Sequence, residues 1–179
     1  MSDIFGMMRY DYRMIKKYDG GVSLKYGTFY LLFAVFALFF LGGCGTNEEL
    51  EQYKSDMEAF YTELSGYDDR INSIDVSSET AVPELLAALD EMKERFSWMA
   101  SLKVPEEFAV VEDLAVQAEE YMADAVSLYH QAYESDPFDS AAAQTAHMYY
   151  ERANKRAVYI LAILHGELPE EDDLEDETE

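Results

Sequence analysis

The chain has 179 residues, with 13 Lys and Arg against 37 Asp and Glu, a formal net charge of −24. That balance excludes binding to DNA or RNA backbones, which need a basic surface, and it would also repel anionic lipid headgroups and anionic wall polymers. Hydrophobic residues still make up 49% of the chain and aromatics 14%, enough to build a packed core rather than a disordered polyelectrolyte.

Arg9, Arg13, Lys16, Lys17 and Lys25 precede an apolar run from Phe29 to Leu41, and the next base is Lys54. Thirteen residues is the length of a secretory-signal core. A transmembrane helix needs about 20, which Tyr26 to Asn47 reaches only with its glycines and polar ends counted. Positive residues stay cytoplasmic, so everything after residue 44 is expected to lie outside. The run ends in Leu41-Gly42-Gly43-Cys44. This resembles the lipobox of bacterial lipoproteins: an aliphatic residue, two small residues and the cysteine. Gly42 stands where Ala or Ser is more usual. The resemblance covers the targeting segment alone. It implies cleavage between Gly43 and Cys44 and a diacylglyceryl group on the Cys44 thiol. The alternative is an uncleaved signal anchor with a lone thiol.

The leader is long and holds Asp3, Asp11 and Asp19. Met14-Ile15-Lys16-Lys17 would open a more ordinary signal, so Met14, Met7 and Met8 stand beside Met1 as candidate starts. Gly45 follows the cysteine, so the aspartate that marks inner-membrane retention in Gram-negative lipoproteins is not there. In general style the remainder resembles small helical lipoproteins of Gram-positive bacteria. Cleavage would leave 136 residues, one ordinary domain, with 8 bases against 34 acids and a net charge of −26. Such charge favours a soluble monomer. Cys44 is the only cysteine, so the exported domain must be stable without an intrachain disulfide.

A short stalk, 44–48, leads into the first helix, expected over about 48–75. Thr46 or Asn47 can cap it, and Glu48, Glu49 and Glu51 suit its positive first turn. Leu50, Tyr53, Met57, Phe60, Leu64, Tyr67, Ile71 and Ile74 repeat in steps of three and four, a heptad stripe that keeps phase through Gly66. A second helix is expected over about 81–102, with Pro83 in its first turn. Its stripe is Val82, Leu85, Leu89, Met92, Phe96, Met99 and Leu102, widened by Leu86 and Trp98. Val104 precedes a proline and avoids helical geometry. The third helix is expected to open at Pro105 and run to about 134. It carries Phe108, Val111, Ala115, Ala118, Met122, Ala125, Tyr129 and Ala132, with Leu114, Tyr121 and Leu128 alongside. After Asp136-Pro137, Asp139 or Ser140 caps a fourth helix over about 140–165. Its inner line reads Ala142, Ala146, Tyr149, Ala153, Ala157, Ile160 and Leu164, and Gly166 supplies a stop. Nine of the 13 residues from Glu167 to Glu179 are acidic, which reads as a solvated, disordered tail. The expected fold is all-α, an antiparallel up-down four-helix bundle. The alternative is a three-helix bundle whose first helix is a detached stalk.

No catalytic grouping can be placed. There is no strand–turn–helix context for a nucleophile and no glycine-rich phosphate loop, so no enzymatic activity is expected. His147 and Glu151 lie one turn apart, the spacing of two metal ligands, but no third ligand follows at a defined spacing. They read as surface residues, and no metal or other cofactor is expected. The acidic runs after Pro169 lack the alternating pattern and central glycine of a calcium loop. Tyr53, Tyr67, Tyr121, Tyr129 and Tyr149 border the stripes and read as packing residues with wet hydroxyls, with a ligand pocket as the alternative. Trp98, Tyr150 and Tyr159 lie off the inner lines and are the candidates for partner contact. Arg152, Lys155 and Arg156 form the one basic cluster after residue 44. Pairing with acids of a neighbouring helix is the favoured reading, a binding patch the other.

Together these features point to a lipid-anchored interaction module at the cell surface, with the membrane and an envelope protein as partners. The alternative is a ligand- or metal-binding lipoprotein with its site between helices.

Overall fold

The computed structural model describes residues 48–166. The apolar run, the expected cleavage and lipidation positions Gly43 and Cys44, and the acidic residues from Glu167 onward lie outside the described residues. Four helices account for most of the described chain: α1 Glu48–Ser73, α2 Ala81–Ala100, α3 Val110–Glu134 and α4 Ser140–Leu164. No strand occurs among the described residues, so the fold is all-α. None of the described helices is long and apolar enough to cross a membrane.

The helix ends follow from local chemistry. α1 places Glu48, Glu49 and Glu51 in its first turn and Arg70 in its last, matching its dipole at both ends. Gly66 sits within α1 without breaking it, and a side chain there would meet nothing within 4 Å. Beyond α1 the chain turns on Asp75, whose Oδ1 accepts from the Ser77 N–H at 3.0 Å and the Ser77 hydroxyl at 2.7 Å. Pro83 lies in the first turn of α2, where an N–H has no helical acceptor.

Pro105 is extended, with φ −62° and ψ 147°. The third helix does not open directly from it. A 3-10 turn, Glu106–Phe108, comes first, closed by the Phe108 N–H donating to the Pro105 carbonyl at 2.8 Å. That turn brings the Phe108 ring within 6.4 Å of Tyr53 on α1, and regular helix begins at Val110. Asp139 caps α4, its carboxylate accepting from the N–H groups of Ala141 and Ala142, each at 3.0 Å. Gly166 ends α4 with φ +81°, the left-handed geometry of a glycine stop.

One core is shared by all four helices. Phe60 of α1 and Phe96 of α2 meet edge to face, centroids 5.3 Å apart at 86°. Met57, Leu89, Met92, Met122, Tyr129 and Ile160 are buried around them. Tyr129 is fully enclosed rather than placed at an edge. α3 and α4 pack most extensively. The buried alanines Ala115, Ala118, Ala125 and Ala132 on α3, with Ala143, Ala146 and Ala153 on α4, let the two backbones approach.

α4 departs from the sequence reading. Tyr149, expected on the inner line, is half-buried, while Tyr150 is 3% exposed. His147, expected at the surface, is buried, and so are Asn154, Arg156 and Tyr159. The cause is that α4 packs against α3 on one side and meets α1 on the other, so it buries a wide face rather than a narrow stripe.

Candidate functional site

The described residues hold their most unusual chemistry where α1 meets α4. On α1, Asp68 continues the buried spacing Leu64, Asp68, Ile71, and its carboxylate is drawn inside, 8% exposed. On α4, Tyr150 donates its hydroxyl to Asp68 Oδ1 at 3.2 Å. Two turns further along α4, Tyr61 of α1 donates to the Ala157 carbonyl at 2.7 Å. Between these two bridges lies Asn154, whose buried Oδ1 finds no hydrogen-bond donor among the described residues. His147, one turn before Tyr150, places Nε2 3.3 Å from Glu151 Oε1. The result is a buried polar seam in an otherwise apolar core.

Burial dominates the electrostatics of this seam. Desolvation pushes the Asp68 carboxyl up to about 6, the Tyr150 hydrogen bond pulls it down and Asp69 adds a smaller upward push. Burial, with a smaller push from Tyr53, likewise drives the Tyr61 phenol well above its usual value, opposed by a backbone hydrogen bond at Leu161. A buried carboxyl near 6 beside a phenol is a group that can exchange protons close to neutral pH. Among the described residues no three His, Cys, Asp or Glu side chains converge as metal ligands.

A second cluster lies on the α3–α4 face. Tyr121 and Tyr149 stack with centroids 5.9 Å apart. The Arg152 guanidinium sits 5.7 Å from one ring and 5.8 Å from the other, and Arg156 lies 5.3 Å from Tyr121. Arg156 Nε also donates to Gln117 Oε1 at 3.2 Å, and Lys155 lies 5.8 Å from the Tyr159 ring. The basic cluster is thus embedded among tyrosines, which supply cation–π attraction.

Of the three residues expected to meet a partner, only Trp98 retains partial exposure. Its ring carries the Arg95 guanidinium at 4.0 Å, and Arg95 Nε is held 2.6 Å from Glu63 Oε2 on α1. Tyr150 and Tyr159 are enclosed with the core, so in the folded domain their rings are not offered to a partner. The sequence reading missed Asp68 and Asn154. The signal for Asp68 was present in its spacing from Leu64 and Ile71, but Asp68-Asp69-Arg70 reads as a solvated charge run. Asn154 carried no comparable signal.

No protein family, no curated protein and no solved structure matches this chain.

Proposed function

We propose that the protein is a lipid-anchored extracytoplasmic module that presents a non-catalytic helical domain to a protein partner at the cell surface. The single observation that carries this reading is the sequence Leu41-Gly42-Gly43-Cys44 closing an apolar run, with every base before residue 54 on its N-terminal side. The diacylglyceryl group on Cys44 holds the domain at the membrane, and the acidic surface keeps it off anionic headgroups. The helices run up-down-up-down. Crossed pairs support this order: Glu63 with Arg95 and Arg70 with Glu91 between α1 and α2, Asp90 with His130 and Ser97 with Glu119 between α2 and α3, Gln117 with Arg156 and Tyr121 with Tyr149 between α3 and α4. In each pair of helices the numbers rise on one and fall on the other. Burial of Tyr53, Met57 and Phe60 in the shared core favours four packed helices over a detached stalk. Trp98, with Arg95 laid against it, is the anchor offered to the partner, since Trp and Arg dominate such contacts.

Feeding cells a tagged fatty acid tests the anchor. The wild type should take the label at Cys44, and Cys44→Ala should take none and accumulate as precursor. A wild type that stays unlabelled would sink the lipid anchor. A second reading, a ligand held between helices, draws on the buried polar seam of α1 and α4. Native mass spectrometry of the purified protein distinguishes the two, because a co-purifying small molecule appears only under the second.

A further inference from the structure

The seam joins the first helix to the last, and a single side chain sets its charge. Asp68 is buried, Tyr150 Oη is its hydrogen-bonding side chain, and among the described residues no Lys, Arg or His lies within ion-pair distance of it. Tyr150 on α4 and Asp69 on α1 are the titratable groups that act on it, while Tyr61 on α1 and His147 and Glu151 on α4 lie elsewhere along the seam. On α2, Glu91 is engaged by Arg70 at 2.7 Å. None of these places a compensating cation on the Asp68 carboxylate.

A buried ion left with one neutral donor is costly, whereas the same carboxyl in its neutral form is well accommodated. We propose that Asp68 and Tyr150 form a protonation-gated clasp between α1 and α4, tight while the Asp68 carboxyl is neutral and loosened when it ionises. The clasp is well placed to act as a hinge. Unlike the extensive α3–α4 contact, the α1–α4 edge is lightly packed, and long-range hydrogen bonds among the described residues cross it, Tyr61 to Ala157 and Tyr150 to Asp68. Ionisation favours the Tyr150 bond itself but leaves a desolvated charge inside the seam, and opening the edge relieves that charge by letting water reach the carboxylate. The proton balance is simple: Asp68 releases one proton to solvent on opening and takes it back on closing.

The direction with pH follows. The folded state binds the Asp68 proton more tightly than the unfolded chain, so its stabilising effect is complete below about pH 4. It is lost as pH rises through about 6. Between pH 5 and 7.5 the shift from 3.8 to about 6 changes the folding equilibrium by about tenfold.

The test compares the full chain with its Asp68→Asn variant in detergent, following thermal melts and amide hydrogen exchange at pH 5.0 and 7.5. Asparagine keeps the acceptor for Tyr150 but cannot ionise. The melting point of the variant minus that of the wild type should rise by about 5 °C from pH 5.0 to 7.5. After correction for intrinsic rates, amides near 65–72 and 147–154 should lose protection at pH 7.5 in the wild type alone. Tyr150→Phe, which removes the one donor to the anion, should move the wild-type transition to higher pH. A melting-point difference that is the same at both pH values would overturn the clasp, as would a uniform loss of protection across all four helices.

Discussion

Phe96→Ala separates packing from recognition most cleanly when set beside Trp98→Ala. Phe96 is 0% exposed and meets Phe60 edge to face at 5.3 Å. Truncating a buried phenylalanine costs about 3–5 kcal/mol through lost transfer energy and the cavity left behind, and the Phe60 pair lies within that figure. A domain of this size has only about 5–15 kcal/mol in total. Each kcal/mol lowers the melting point of a domain intermediate between small and medium size by about 3–5 °C. Phe96→Ala should therefore melt roughly 10–25 °C below the wild type. Trp98 is half-buried, and its loss forfeits partial burial and the Arg95 contact, about 1–2 kcal/mol together. Urea titration of the fragment 45–179, followed by circular dichroism, measures both. The wild-type fragment should be strongly helical and unfold cooperatively without metal or reductant. Crosslinked capture of envelope proteins then supplies the second readout: Trp98→Ala should weaken capture while its midpoint moves little. If Trp98→Ala unfolds as readily as Phe96→Ala, the indole is core and the proposed anchor is lost. A Phe96→Ala cost under 1 kcal/mol would contradict the packing itself.

Two further outcomes are expected. Asp139→Ala removes both acceptor bonds at the start of α4 and should cost about 1 kcal/mol by urea titration, while Asp139→Asn or Ser should recover most of it. His130 bonds Glu134 at 2.9 Å and Asp90 at 3.1 Å, and these partners, Glu134 foremost, raise its pKa. A raised value means that the stabilisation is present at acid pH and fades as pH climbs through the folded value. The stability gap between wild type and His130→Gln should accordingly be wider at pH 5.5 than at pH 8, and an equal gap at both would show that the imidazolium contributes nothing.

The all-α class was legible because the apolar positions of the four segments recur at helical spacing, and Phe60, Leu89, Met122 and Ile160 do lie inside. Asp139 and Gly166 announced the ends of α4 through chemistry that depends on a single residue. The seam was hidden for two reasons. α4 carries alanine on several sides, so its composition does not point to one face, and Tyr149-Tyr150 offers two equivalent rings one step apart. Only the position of α1 decides between them, through the Tyr150 bond to Asp68. Asp68 was obscured by its type: a carboxylate in a charged run is ordinarily solvated, and its burial is a tertiary fact. The 3-10 turn before α3 escaped for a related reason, since proline followed by two acids equally suits an α-helical start.

The two bonds of the seam also bear on how the chain folds. Neighbouring helices in sequence can pair across a short connection at little entropic cost. Tyr61 and Ala157 are 96 residues apart, and Asp68 and Tyr150 are 82 apart. Closing that gap becomes affordable only after the intervening helices have already drawn the two ends together. The joint between α1 and α4 is therefore expected to form after the pairings of sequence-adjacent helices, which mutational folding kinetics at Tyr61 and Tyr150 would check.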